Sequence, residues 1–141
     1  PHDMPEKIVN FCKRTGGNIP ANEFEIARCV YDSLALAYKH NILALEKLTG
    51  RKIDVLHIVG GGSNNIMLNE ATADALGFRV TAGPGEGTAL GNILCQLIAL
   101  GKVKDAKEAR QIVRNSTEIK EYYPKNEQIY AEAYERFLKL L

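Results

Sequence analysis

The sequence lacks the features that mark several large functional classes. It has no run of about eighteen apolar residues, which a membrane-spanning helix requires, and its amino terminus carries neither the basic head nor the apolar stretch of a secretory signal. The formal net charge is only +1, from 18 Lys and Arg against 17 Asp and Glu, which is too small to indicate a nucleic-acid or acidic-membrane surface. We therefore expect a protein that binds neither nucleic acid nor membranes.

Cysteine is scarce as well. Cys12, Cys29 and Cys95 are odd in number and contain no CxxC pair, so the sequence predicts neither a disulfide framework nor a zinc site. Free cysteines fit a reducing compartment, and we expect a cytoplasmic location. Asp54 and Asp74 are expected in surface or capping roles rather than on a metal ion.

What is present is typical of one globular domain. The chain has 141 residues, of which 45% are hydrophobic. It begins with Pro1 rather than Met, so we expect residues 1–141 to be a fragment of a longer protein.

Helical periodicity and capping signals recur along the chain. The longest helix is predicted from a capping box at Asn22 and Glu25 to Gly50, with a sheet on one side and helices on the other. The segment 88–100 is predicted as a buried helix, because its small residues Ala89, Gly91 and Ala99 allow close backbone approach. The remaining predicted helices are 3–15, 64–76, 105–113 and 126–141.

Two segments are predicted as strands. Residues 53–59 are rich in β-branched side chains and indicate a buried parallel strand, and 78–82 indicate a second, short one. The alternation of strands and helices predicts an α/β fold, with parallel strands and flanking helices. Because two strands do not form a stable sheet, either further strands escape the pattern or they precede Pro1. We expect an incomplete lobe with a helical tail at about 103–141.

The chemically informative segment is Gly60, Gly61 and Gly62, followed by a helix. Glycine backbone at the carboxyl end of a parallel strand lets a base or phosphate approach the main chain, and the first N–H groups of the next helix are free to bind phosphate oxygens. Asn65 offers amide donors and an acceptor that match the N6/N7 edge of adenine. The run is neither GxGxxG nor a Walker loop. From chemistry alone, a nucleotide site and a turn used only for tight packing both stay open.

Other polar residues near this turn have simpler interpretations. His57 is expected to be a structural histidine with a satisfied hydrogen bond. Gly83, Pro84 and Gly85 are expected to form a structural turn, with Glu86 and Thr88 available as caps beside the pocket.

Three stretches of the chain carry a resemblance to a known family. Residues 56–80 resemble the "GG...N...ADxLG..V" segment of the FGGY carbohydrate kinases, and residues 83–92 are similar to the helix that follows it there. The resemblance runs from the Pro5 helix to about Tyr123. Residues 27–36 and 57–62 are most similar to the members of the family that phosphorylate L-rhamnulose.

The resemblance implies the second lobe of an actin-like, ribonuclease-H-like ATPase with ATP in the cleft between two lobes. It implies backbone contacts from Gly61 to the nucleotide, an adenine contact from Asn65, and flanking roles for Gly60 and Gly62, but no firm role for Ser63 or Asn64. ATP is the implied cofactor, with Mg²⁺ expected in the full-length enzyme. The catalytic base and most of the sugar site are expected outside this chain, so the fragment alone is expected to be inactive and to hold no catalytic residue or metal ligand.

Three alternatives remain at this point. The first is a kinase of the same family that acts on another substrate, such as L-fuculose, D-xylulose or glycerol. The second is a non-catalytic nucleotide-binding module of the actin-like superfamily. A helical packing domain without a ligand is the third. Self-association of the fragment is also predicted, because missing strands would leave a sheet edge exposed.

Overall fold

The computed structural model describes residues 3–141, so that Pro1 and His2 lie outside it. The chain forms an α/β fold, as predicted. In chain order its elements are α1 (Met4–Thr15), α2 (Glu23–Thr49), β1 (Val55–Ile58), a 3-10 turn (Gly61–Asn64), α3 (Ile66–Leu76), β2 (Arg79–Ala82), α4 (Gly87–Ala99), α5 (Ala106–Ser116), β3 (Lys120–Tyr122) and α6 (Glu127–Leu138).

The strands form one mixed sheet in the order β1, β2, β3. β1 and β2 are parallel, whereas β3 is antiparallel to β2. The prediction of parallel strands is correct for the first pair and wrong for β3, whose three residues are too few to show a strand pattern in the sequence. The segment expected as a helical tail, about 103–141, therefore contains a strand between its two helices.

β1 is shorter and more exposed than the buried strand predicted at 53–59. It spans four residues, His57 within it is exposed, and Val59 just beyond it is 60% exposed. The reason is its position at the edge of the sheet, where β2 is its one neighbour among the described residues. An edge strand leaves backbone N–H and C=O groups unpaired on its outer side.

α3 is the central helix of the fold. It packs on β2 and β3 and also on α2 and α6. Its residues from Ala71 to Ala75 are all buried, and their mostly small side chains allow α2 to approach closely. α2 was expected to contact a sheet directly, but it packs mainly on α3, with α1 and α6 as its other neighbours. α3 thus takes the place next to the sheet.

The sequence signals that begin and end α2 are confirmed. The Asn22 Oδ1 accepts the N–H of Glu25 at 3.0 Å, as in a capping box. The reciprocal bond is shifted by one residue, since the Glu25 carboxylate accepts the N–H of Ala21 at 2.8 Å. Gly50 ends the helix with φ 67°, a conformation that favours glycine.

The packed interior is divided between two clusters. The main core lies between α2, α3 and α6, and a smaller cluster joins α4 to α5. The buried members of the main core are Ala35, Leu36, Ala71, Ala75 and Tyr130, and those of the second are Leu94, Val103 and Ala109.

The prediction that α4 is buried is wrong for the described chain. Leu94 is buried, but Ala89, Gly91 and Ala99 are exposed and Ile93 is 55% exposed. The physical reason is that α5, its main packing neighbour, covers only part of this apolar helix. In residues 3–141 no helix has both the length and the apolar character needed to cross a membrane.

Candidate functional site at the glycine turn

The glycine turn, Gly60 to Gly62, connects β1 to α3 at the carboxyl end of β1. Gly60 has φ 79°, which residues with a Cβ rarely adopt. Its N–H donates to the Pro84 carbonyl at 3.0 Å, and the Gly83 N–H donates to the Ile58 carbonyl at 2.9 Å. These two bonds tie the turn after β1 to the turn after β2, so both turns meet at one edge of the sheet.

Gly61 and Gly62 differ from Gly60 in backbone conformation and in the space around them. Neither has a positive φ, and a Cβ built on either would find no heavy atom within 4 Å beyond its immediate neighbours. Among the described residues, neither backbone conformation nor packing therefore requires glycine at these positions. Their N–H groups begin the 3-10 turn, where no preceding turn of helix supplies acceptors. A flat or anionic ligand can approach the main chain here.

Ser63 stabilises the turn from the interior. It is buried, and its Oγ and N–H both donate to the Gly60 carbonyl, at 2.7 and 3.0 Å. A Cβ on Gly85 would lie 4.0 Å from the Ser63 Oγ and 3.6 Å from the Asn64 Nδ2, so both side chains lie beside the second glycine turn. The family resemblance implied no firm role for Ser63, and a hydroxyl bonded to a nearby carbonyl has no sequence signature of its own.

Asn65 is the N-cap of α3 rather than a residue of its first turn. The helix begins at Ile66 instead of at position 64, because the Asn65 Oδ1 accepts the Leu68 N–H at 3.1 Å. The acceptor that the sequence suggested for adenine is thus already used by the backbone. The Asn65 Nδ2 donates to no group within residues 3–141 and carries two N–H donors.

Asn69 was missed by sequence reasoning. It is fully buried, its Nδ2 donates to the Ser63 carbonyl at 2.9 Å, and its Oδ1 has no partner among the described residues. The available signal was its position four residues after Asn65, which places both amides on one face of α3.

The other predicted polar residues have structural roles or none. The His57 Nδ1 lies 2.6 Å from the Thr81 Oγ1 of the neighbouring strand, which confirms a structural histidine. Glu86 holds the N-cap position of α4 but makes no side-chain capping bond there, so capping by its side chain is wrong. Thr88 lies within the helix and is exposed. In residues 3–141 no three His, Cys, Asp or Glu side chains are grouped to hold a metal ion.

Ionisable groups with displaced pKa values lie away from the turn. Burial, followed by the neighbouring Asp32, raises the pKa of Tyr130 on α6, and burial raises the pKa of Cys29 on α2. The glycine turn instead presents backbone N–H groups and a carboxamide. Such an arrangement binds and orients a polar ligand, but it offers no acid–base pair of its own.

A large groove lies elsewhere in the molecule. It has a volume of about 860 Å³ and lies between α1, α2 and α6, with none of the four predicted site residues in its lining. The predicted site is therefore an open edge of the sheet rather than this groove.

Comparisons with known proteins show the family to which the chain belongs. Residues 1–100 match the model of the FGGY family of carbohydrate kinases, C-terminal domain. The chain is 48% identical to a rhamnulokinase of Bacillus subtilis over 126 residues, which are 89% of this chain and 26% of that protein. It is 45% identical to a rhamnulokinase of Enterococcus faecalis over 143 residues, 99% of this chain and 29% of that protein.

A third relative carries the same name. A rhamnulokinase of Bacteroides thetaiotaomicron is 39% identical over 137 residues, 97% of this chain and 28% of that protein. The chain therefore spans between 26% and 29% of the length of these relatives. Since the family model matches residues 1–100 of 141, this chain belongs to the FGGY family of carbohydrate kinases and carries the C-terminal domain of that family.

Proposed function

We propose that this chain provides the adenine-nucleotide half of the cleft in an ATP-dependent ketose kinase. The observation that carries the proposal is the unfilled space at Gly61 and Gly62, where nothing in the described chain requires glycine. Gly60 sets the course of the turn, Gly61 and Gly62 bring bare backbone to the nucleotide, and Asn65 donates from its Nδ2 to the adenine.

The proposed substrate is L-rhamnulose, phosphorylated to L-rhamnulose 1-phosphate. Three relatives with the name rhamnulokinase, at 39–48% identity, favour this sugar over L-fuculose, D-xylulose and glycerol. Because the chain spans 26–29% of those proteins, the sugar contacts are proposed to lie in the rest of the protein.

The fold proposed for the whole protein is actin-like, with this chain in its second lobe. Two features support a lobe that other segments complete. Among the described residues, β1 pairs on one edge only, and α4 exposes apolar side chains such as Ile93 that its neighbour α5 does not cover. The amino-terminal lobe is proposed to bring the phosphate-binding turn and the sugar site to the same cleft.

Phosphoryl transfer requires the γ-phosphate, a metal ion, the acceptor hydroxyl and a base to be held together. ATP supplies the phosphoryl group, and Mg²⁺ is expected to accompany it. The residues of this chain bind and orient the adenosine end, which lowers the entropic cost of alignment. No three His, Cys, Asp or Glu side chains are grouped to hold a metal ion in residues 3–141, so we assign the ion no ligand here. The catalytic base is proposed to lie outside this chain, as the family resemblance implies.

The proposal is tested with the full-length gene product and ATP against L-rhamnulose, L-fuculose, D-xylulose and glycerol. We expect the highest kcat/KM for L-rhamnulose. Gly61→Ala should raise the KM for ATP by about tenfold, which corresponds to roughly 1.4 kcal/mol, without lowering the Tm. Gly91→Ala is the matched control, because a Cβ there also meets no heavy atom within 4 Å, and it should leave the KM for ATP unchanged.

Each alternative has a distinct outcome. If the wild type phosphorylates none of the four compounds but binds ATP, and Gly61→Ala weakens that binding, the chain belongs to a non-catalytic nucleotide-binding module. If Gly61→Ala and Gly91→Ala give the same KM for ATP, the glycine turn is not the nucleotide site.

A further inference from the structure

Asn69 lies at one end of a continuous chain of hydrogen bonds. Its Nδ2 donates to the Ser63 carbonyl at 2.9 Å, and its backbone N–H donates to the Asn65 carbonyl at 3.0 Å. Ser63 donates in turn to the Gly60 carbonyl, at 2.7 Å from Oγ and 3.0 Å from N. The interior of α3 is thereby connected to the first residue of the glycine turn.

The orientation of the Asn69 amide follows from this contact. A carbonyl oxygen only accepts, so the Nδ2 group must face Ser63 and the Oδ1 must point elsewhere. The Oδ1 has no hydrogen-bond partner among the described residues, although Asn69 has no exposed surface. A buried acceptor without a partner destabilises a fold, and an apolar side chain of similar volume would avoid this cost. Packing alone therefore does not explain an asparagine at position 69.

We propose that Asn69 is a positioning residue of the nucleotide site. Its bond to Ser63 holds the glycine turn, and with it the start of α3 that carries Asn65, in the arrangement that receives the adenine nucleotide. Because its side chain is fully buried, Asn69 acts through Ser63 rather than by contact with the ligand. An unsatisfied buried polar atom near a binding site is typical of a residue retained for function. The inference rests on the proposed function of the turn.

Two substitutions isolate the donor. Asn69→Leu and Asn69→Met both remove it with only a modest change in volume, and neither side chain can donate a hydrogen bond. Thr72→Val is the matched control, because Thr72 is also fully buried in α3 and loses one hydrogen bond, from its Oγ1 to the Leu68 carbonyl at 2.6 Å. Agreement between the two Asn69 variants assigns an effect to the Nδ2 donor.

The kinetic test uses the full-length protein. Both Asn69 variants should raise the KM for ATP by roughly tenfold, the loss expected for one hydrogen bond, and leave the KM for the ketose within about twofold. Thr72→Val should lower the Tm and leave the KM for ATP within about twofold. If the Asn69 variants change the KM for ATP no more than Thr72→Val does, the proposal is overturned.

A second readout needs no nucleotide. Amide hydrogen exchange, measured by NMR in the nucleotide-free protein, should be about tenfold faster at Ser63 and Asn65 in both Asn69 variants and unchanged at Gly50. Unchanged exchange at Ser63 and Asn65 contradicts the proposal even if the protein is an active kinase. If the wild type neither binds nor uses ATP, the proposed function fails, and the exchange comparison still decides whether Asn69 orders the turn.

Discussion

Asp74, near the end of α3, accepts two hydrogen bonds from Asn126, the residue before α6. Its Oδ1 accepts the backbone N–H at 3.0 Å and its Oδ2 accepts the side-chain Nδ2 at 3.1 Å. The N–H of Lys125 also donates to the Oδ1, at 2.6 Å. One carboxylate thus satisfies backbone N–H groups ahead of another helix and joins α3 to α6. The expectation of a surface or capping role for Asp74 is confirmed as capping.

Asp74→Ala should lower the free energy of unfolding by about 2 kcal/mol, because it removes hydrogen bonds to a charged, buried group. Denaturant unfolding followed by circular dichroism measures the change. Asp54→Ala is the control, since Asp54 is exposed, and it should stay within about 0.5 kcal/mol of the wild type. Equal losses in the two variants would contradict a capping role for Asp74.

The same contacts predict a dependence on pH. Burial alone would raise the pKa of Asp74, but hydrogen bonds from Lys125 and Asn126 outweigh burial and hold the pKa below its ordinary value. A carboxyl group with a lowered pKa stabilises the fold above its unfolded pKa, about 3.9, and this contribution is lost as the pH falls through the folded pKa. The stability difference between wild type and Asp74→Asn should therefore shrink below about pH 4. If the stability difference instead grows as the pH falls, the pKa of Asp74 is raised in the folded protein and not lowered.

A second network joins α2 to α6 and predicts an effect at alkaline pH. The Tyr130 hydroxyl donates to the Asp32 Oδ1 at 2.5 Å and accepts from the Arg28 Nη2 at 3.1 Å. Burial and the Asp32 carboxylate raise the pKa of Tyr130, so its neutral form stabilises the fold below the unfolded pKa of about 10 and this contribution is lost at higher pH. In an absorbance titration of the tyrosine hydroxyls at alkaline pH, the hydroxyl that ionises last in the wild type should be missing from Tyr130→Phe. If the variant instead lacks a hydroxyl that ionises early, the hydrogen bonds of Tyr130 do not raise its pKa.

Local signals made much of the fold predictable. Asn22, Glu25 and Gly50 fix the ends of α2 through bonds and backbone angles within a few residues, and the structure reproduces them. β3 was not predictable, because Lys120–Tyr122 has no apolar alternation and is a strand only because the second edge of β2 is available. The exposure of α4 was mispredicted. The apolar composition of the helix indicates that it needs a covering surface, but it does not show whether this chain supplies one.

The candidate site also has features that the sequence predicts and features that it does not. Gly60 to Gly62 could be proposed from the sequence, because glycine backbone after a parallel strand allows a ligand to approach the main chain. The capping bond of Asn65 depends on where α3 begins, which the sequence placed two residues too early. The spacing of Asn69 from Asn65 was visible in the sequence, but its burial depends on what packs over α3. A shift of the predicted helix start by two residues is enough to change the role of Asn65.

Self-association of residues 1–141 remains a prediction, because the outer edge of β1 is exposed. No strand of residues 3–141 pairs with the outer edge of β1, so backbone groups there can pair with another strand, and Val59 beside it is 60% exposed. Size-exclusion chromatography with light scattering should show a mass that rises with concentration. Val59→Lys should reduce the association, because a charged residue beside an edge opposes pairing. A monomeric mass at all concentrations would reject the prediction.

Asn65 combines a structural role with a proposed ligand contact, and two substitutions separate them. Serine is as good an N-cap as asparagine, whereas alanine cannot accept the Leu68 N–H. Asn65→Ala should lower the free energy of unfolding by about 1 kcal/mol, and Asn65→Ser should retain the wild-type value within a few tenths. Both lack the amide donors, so both should raise the KM for ATP by about tenfold in the full-length protein. If Asn65→Ser restores the wild-type KM together with the stability, the amide contributes to the site only as the cap of α3, and the adenine contact must come from another residue.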